Sequence, residues 1–144
     1  MPGPVLVGYD GSEPSDRALD HAVALAKSHD TSIILVHVLE WSPYSFLTQE
    51  ELAERHARRK DEMARAESAV LKPALERVSA SGLKIEPVIQ YGHSAEILAR
   101  VAKEKGADQI IVGRDGSGGL AARLFGSTAA TLIQIATIPC TIVP

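Results

Sequence analysis

At 144 residues and 45% hydrophobic content the chain has the size of one domain with one core, and residues 1–144 are read as that single domain. Only 4% of the residues are aromatic and the formal net charge is −3, so the core falls to Ala, Val, Leu and Ile, and the cationic, aromatic-studded face that nucleic acid requires is missing. No apolar run approaches the roughly 18 residues of a membrane span, and "MPGPVLVGYD" lacks a charged start followed by an apolar stretch and a cleavage site. The expected compartment is the cytoplasm, without membrane insertion.

The first apolar run, "PVLVGY" (4–9), is short and rich in β-branched residues, as a buried strand should be. "DGSEPS" follows. Asp10, at the strand end, has two readings: a turn and helix cap built with Gly11 and Ser12, or a carboxylate that accepts from a sugar hydroxyl or adenine amino group, or reaches a metal on a phosphate. Ala18, Leu19, Ala22, Val23 and Ala26 then share one face of a helix that Ser12 caps and Pro14 helps to start. "SIILVHVL" (32–39) is the second strand. A capping box of Thr48 and Glu51 opens a long helical segment that runs to Gly82, with Pro73 expected to kink or divide it. Its cluster Arg55, His56, Arg58, Arg59 and Lys60 is flanked by acidic residues and reads as a solvated face.

"KIEPVIQY" (84–91) is the third strand, and Ile97, Leu98, Val101 and Ala102 mark a helix that follows Ser94 and stops at Gly106. "QIIVG" (109–113) is the fourth. After it comes "RDGSGGLAARLFGST", in which Gly113 and Gly116 let backbone approach an anion, while Gly126, Ser127 and Thr128 open a helix whose free N–H groups and dipole favour negative charge. Leu132, Ile135 and Ala136 mark that last helix, and "CTIV" (140–143) is the fifth strand. Cys140 is the single cysteine, which excludes an intrachain disulfide and reads as a buried strand residue.

Alternating strands and helices imply parallel strands joined by right-handed crossovers. The expected fold is α/β: a doubly wound, Rossmann-like open sheet of five mainly parallel strands, in the order 3-2-1-4-5, with helices on both faces. Ligands in such sheets bind beyond the carboxyl ends of the strands, where successive connections diverge. That directs attention to the loops after strands one and four.

Three separated blocks, "VGYDGSEPSDRALDHAVALA", "YGHSAEILARVAKEKGADQIIVG" and the spacing G-x2-G-x9-G-S at Gly113, Gly116, Gly126 and Ser127, together resemble the single-domain form of the universal stress protein family. The resemblance covers nearly the whole chain, least clearly residues 41–80, and this glycine spacing is associated with the branch that binds ATP. It implies that Asp10, with backbone from Gly8 and Tyr9, contacts adenosine, and that the main chain of Val38 reads the adenine edge. It implies further that Val112 and Gly113 line the base and ribose side, while Arg114, Asp115 and Gly116 with Gly126, Ser127, Thr128 and Ala129 hold ribose and phosphates. It also implies a homodimer through the terminal strand Cys140 to Val143, an edge with unpaired backbone groups.

Two departures from the family pattern stand out. Asp115 replaces a basic or small polar residue, and a carboxylate beside a triphosphate is repulsive unless a cation such as Mg²⁺ intervenes or the side chain turns outward. In "TIPCTIV" the cysteine follows the proline rather than preceding it, which concerns packing. No catalytic set accompanies the site. The G-x-x-x-x-G-K-[ST] loop is absent, and His21, His29, His37, His56 and His93 lack ligand spacing, with His37 and His93 read as structural. The favoured reading is a nucleotide-binding stress or regulatory module, with ATP and Mg²⁺ as the expected cofactors and an unknown protein partner; a slow ATPase, a cyclic AMP-binding relative and a nucleotide-free interaction protein are the alternatives.

Overall fold

The computed structural model describes residues 2–40, 48–115 and 126–144. Five strands, β1 (Val5–Gly8), β2 (Ile33–Glu40), β3 (Ile85–Gly92), β4 (Gln109–Gly113) and β5 (Cys140–Val143), form one sheet in the order β3-β2-β1-β4-β5. All four pairings are parallel, with Val5 opposite Ile33 and Gln109, Ile33 opposite Ile85, and Ile110 opposite Cys140. The strand order and parallel pairing match the expectation from sequence, and the strand limits shift by no more than a residue.

Side chains alternate between two cores, as the strand period of two requires. Val5, Val7, Ile33, Leu35 and Ile111 face α1 (Glu13–His29) and the segment around Leu71, Ala74 and Val78. Leu6, Ile34, Val36, Ile110 and Val112 face α4 (Ser94–Lys105) and α5 (Ser127–Ile135) on the other side. Strands sandwiched in this way must be apolar on both faces, which explains why "VLV" and "IILV" read as continuous runs. Pro87 lies in β3, an outer strand, where a missing ladder donor is tolerated.

α1 begins at Ser12, whose Oγ accepts from the Ser15 N–H at 3.3 Å. α4 begins one residue earlier than expected: His93 occupies the cap position, and Ser94, its first residue, gives its hydroxyl to Glu40 Oε1 instead. Its end at Gly106, φ 66°, needs the left-handed conformation that glycine adopts without strain.

The long middle segment starts with the capping box at Thr48 and Glu51 and is divided, as expected, ahead of Pro73. α2 (Gln49–Ala66) passes into a π-helical turn at Glu67–Leu71, where Lys72 N–H donates to Glu67 O five residues back, and then into α3 (Lys72–Arg77). The wider turn relieves the crowding that a proline ring imposes on the preceding turn. α3 is tied to α1 by Arg77, which forks onto Asp20 at 3.2 and 2.8 Å. In α2 only Ala66 is buried, so the basic cluster at 55–60 does lie on a largely solvated helix.

Candidate functional site

β1 leads into α1 on one face of the sheet and β4 leads into α5 on the other, and the two strands are neighbours. Their carboxyl ends therefore flank the crevice that doubly wound sheets offer to ligands.

At the β1 end, Gly8 brings the strand against α4 and β4: a Cβ there would lie 2.8 Å from Leu98 Cδ1 and 3.0 Å from Val112 Cγ1. Tyr9 is buried and its polar groups are engaged internally. Its N–H donates to Val36 O at 2.9 Å, its carbonyl accepts from His37 Nδ1 at 2.7 Å, and its hydroxyl donates to Asp16 Oδ1 at 2.6 Å. Burial, reinforced by that bond to Asp16, holds the phenol pKa well above the ordinary tyrosine range. Asp10 is exposed, and its Oδ1 accepts from both the N–H (2.9 Å) and the hydroxyl of Ser12. Gly11 turns the chain with φ 82°. The turn-and-cap reading of Asp10, Gly11 and Ser12 is thus realised, with the carboxylate held at the mouth of the crevice.

The β4 end is built differently. Val112 is buried, and Gly113 packs on the start of α1: a Cβ would fall 2.8 Å from Pro14 Cβ and 2.9 Å from the Pro14 carbonyl carbon. Its glycine is required by helix packing, a reason distinct from the anion approach expected of it. Arg114 N–H donates to Val143 O and Arg114 O accepts from Gly126 N–H, both at 2.7 Å, so these two residues close the neck of the loop between them. The main-chain amides of Arg114 and Gly126 are spent there. Arg114 Nε sits 3.6 Å from Asp115 Oδ2, and Asp115 Oδ1 is buried with no hydrogen-bond partner among the described residues. Gly116 lies outside the described residues.

At α5 the first intrahelical donor is Ala130 N–H, to Gly126 O at 3.0 Å. The amides of Ser127, Thr128 and Ala129 precede it, and Gly126 at the cap supplies no side-chain acceptor. Such a helix start carries partial positive charge, and among the described residues its first three amides have no intrahelical acceptor. Ala129 is itself buried, which leaves only its main chain for a ligand. Ser127 and Thr128, with Thr131, face the α4 start across a cavity of about 320 Å³, whose other lining comes from Ala95 and from Glu40, His93, Ser94 and Glu96. Sequence reasoning did not connect these last four residues with Ser127 and Thr128. Only the sheet order brings the starts of α4 and α5 side by side.

Val38, half-buried near the end of β2, points to the same face as α4 and α5. Among the described residues no group of three or more His, Cys, Asp or Glu side chains is placed to hold a metal ion.

The universal stress protein family model matches residues 1–144. The chain belongs to the universal stress protein family. A universal stress protein of Bacillus subtilis, YxiE, is 32% identical over 96% of this chain and 97% of its own. Among solved members of the family, UspA from Lactobacillus plantarum shares the fold at a TM-score of 0.84, with 20% identity over 100% of this chain and 99% of its own. A universal stress protein solved in complex with cyclic AMP superposes with a TM-score of 0.70 and 25% identity, covering 100% of this chain and 98% of its own. No described helix of this family member is long and apolar enough to cross a membrane.

Proposed function

We propose that the chain is a one-domain regulatory module of the cytoplasm that binds ATP together with Mg²⁺. The observation that carries this reading is the start of α5, where three successive amides precede the first intrahelical donor and two hydroxyl side chains line a cavity at the carboxyl edge of the sheet. Phosphates are the ligand chemistry that such a start suits. In this reading Asp10 meets the adenosine end with Gly8 and Tyr9 supporting it from behind, Val38 is toward the base, and Val112 and Gly113 stand between. Asp115 Oδ1, buried and without a hydrogen-bond partner among the described residues, supports the metal: beside phosphates a carboxylate oxygen gains a partner when Mg²⁺ intervenes. Asp115→Ala should tighten metal-free ATP binding, by removing the repulsion, and should not tighten binding of the Mg²⁺ complex.

The relative that holds cyclic AMP supports a second reading, in which the same cradle takes a cyclic monophosphate. Mass spectrometry of nucleotide released from gently purified protein, followed by calorimetric titration with ATP, with and without Mg²⁺, and with cyclic AMP, separates the two. Co-purified ATP, or ATP binding lost in Gly126→Asp, is the expected result. Protein that arrives empty and ignores every nucleotide overturns both readings.

The same proposal includes a homodimer through β5, an outer strand whose four residues are all half-buried, beside an α5 that leaves Ile133 60% exposed. Sedimentation at micromolar concentration should find a dimer; a monomer contradicts it.

A further inference from the structure

We propose that His37 is a positioning residue for Asp10: its imidazole fixes the carbonyl that immediately precedes Asp10 and thereby sets where the carboxylate stands. The inference rests on the nucleotide reading for its functional consequence.

β2 runs parallel to β1 with Val36 opposite Gly8, so His37 comes alongside Tyr9, just where β1 has ended. Beyond that point the sheet ladder no longer dictates the path of the chain. Residue 9 is nevertheless held at three points: N–H to Val36 O (2.9 Å), hydroxyl to Asp16 (2.6 Å), and carbonyl to His37 Nδ1 (2.7 Å). The third bond acts on the peptide plane shared with Asp10. A carbonyl can only accept, so Nδ1 carries the proton, and the donor position on the ring is defined.

Core packing does not account for the residue. The β2 neighbours on the same face, Ile33 and Leu35, are aliphatic, and a polar ring buried among such groups is costly unless its hydrogen bond is made. The bond it makes goes to the one peptide that leads into the exposed Asp10. On the other side, Ser12 holds Asp10 Oδ1 and Ser15 Oγ accepts from the Asp10 N–H at 3.4 Å. Asp10 is thus located from behind by His37 and from ahead by the start of α1. A carboxylate placed this way can meet a hydroxyl or amino group without first losing its own freedom.

Three variants test this. His37→Asn keeps an N–H donor at the δ position, His37→Gln moves it one atom further out, and His37→Leu removes it. In titrations with Mg²⁺ and ATP, His37→Leu and His37→Gln should bind about three- to tenfold more weakly, the size of one ordinary hydrogen bond, while His37→Asn stays within about twofold of the parent. If the leucine variant does not fold, the asparagine and glutamine pair still decides. Amide hydrogen exchange on nucleotide-free protein supplies a readout independent of ligand: Gly11 and Ser12 should exchange faster in the glutamine variant and at the parental rate in the asparagine variant. A parent that binds no nucleotide sinks the nucleotide reading, and the exchange rates then decide the positioning role alone. Equal affinity and equal exchange in the asparagine and glutamine variants overturn that role.

Discussion

The two junctions that flank the crevice are made from similar residues, Gly, Ser, Asp and Thr, yet they are finished in opposite ways. At the β1–α1 junction nearly every polar group has a partner inside the protein: Tyr9 at three points, Asp10 with Ser12, and Ser12 with Ser15. At the β4–α5 junction the loop neck is closed by Arg114 and Gly126, and the next three amides lie ahead of the first intrahelical donor. One junction is a finished support that presents a single carboxylate; the other keeps three amides ahead of its first intrahelical donor, which the proposed phosphates would complete. Turn-forming residues at the end of a strand therefore do not identify a binding end. Among the described residues, what distinguishes the two is whether the hydrogen bonds close internally.

Changes at α5 should break that contrast most strongly. Ser127→Asp puts a carboxylate at the first position of the helix, where the dipole welcomes it, and gives the amides that precede the first intrahelical donor an internal partner. Stability should rise by about 0.3–1 kcal/mol, while ATP affinity falls by on the order of a hundredfold as the carboxylate competes with phosphate for the same donors. Calorimetry and urea unfolding on the same sample read the two opposite signs. Equal signs would mean that α5 is capped in some other way.

Gly113→Ala tests whether this glycine serves packing or ligand. Its Cβ would meet the backbone of Pro14 at 2.9 Å, so the start of α1 must shift, and a loss of about 1–3 kcal/mol in urea unfolding is expected. An alanine variant of unchanged stability but weakened ATP binding would restore the anion-approach reading. Ser12→Ala, on the support side, removes the α1 cap and one hold on Asp10, with an expected loss of about 1 kcal/mol.

The smallest effect lies away from both junctions, at the sheet edge. Tyr91 shares its single hydroxyl proton between Glu62 Oε2 at 2.9 Å and Arg59 O at 3.2 Å, with the Arg59 guanidinium 5.1 Å from its ring, and so ties β3 to α2. Burial, then the bond to Glu62, pushes its pKa up to about 12 from 10.0. A raised acid pKa in the folded state means that the folded form keeps its proton longer. This contribution is therefore complete below pH 10 and fades as the pH rises towards 12. Tyr91→Phe should flatten the fall in stability across that window, as measured by unfolding at fixed alkaline pH values.

Much of this architecture was legible in the residues because strand burial on two faces leaves unbroken apolar runs, and caps such as Ser12, Thr48 with Glu51, and Gly106 act within a few residues. Pro73 announced a division but not its form, since a π-helical turn leaves no compositional mark. The reason for Gly113 was hidden because Pro14 meets it only once α1 is laid against β4. His37 read as structural, and its tie to Tyr9 becomes visible only when β1 and β2 are paired in register. Likewise, Glu40, His93 and Ser94 join Ser127 only through the strand order. Local chemistry travels with the sequence; contacts between distant segments do not.

The most direct test of the central claim is a ¹H–¹⁵N spectrum of the protein titrated with ATP and Mg²⁺. The amide signals of Ser127, Thr128 and Ala129 should move furthest, while those of Arg114 and Gly126, already bonded at the loop neck, move less. Saturation without movement of the three α5 amides would contradict a phosphate cradle at that helix start.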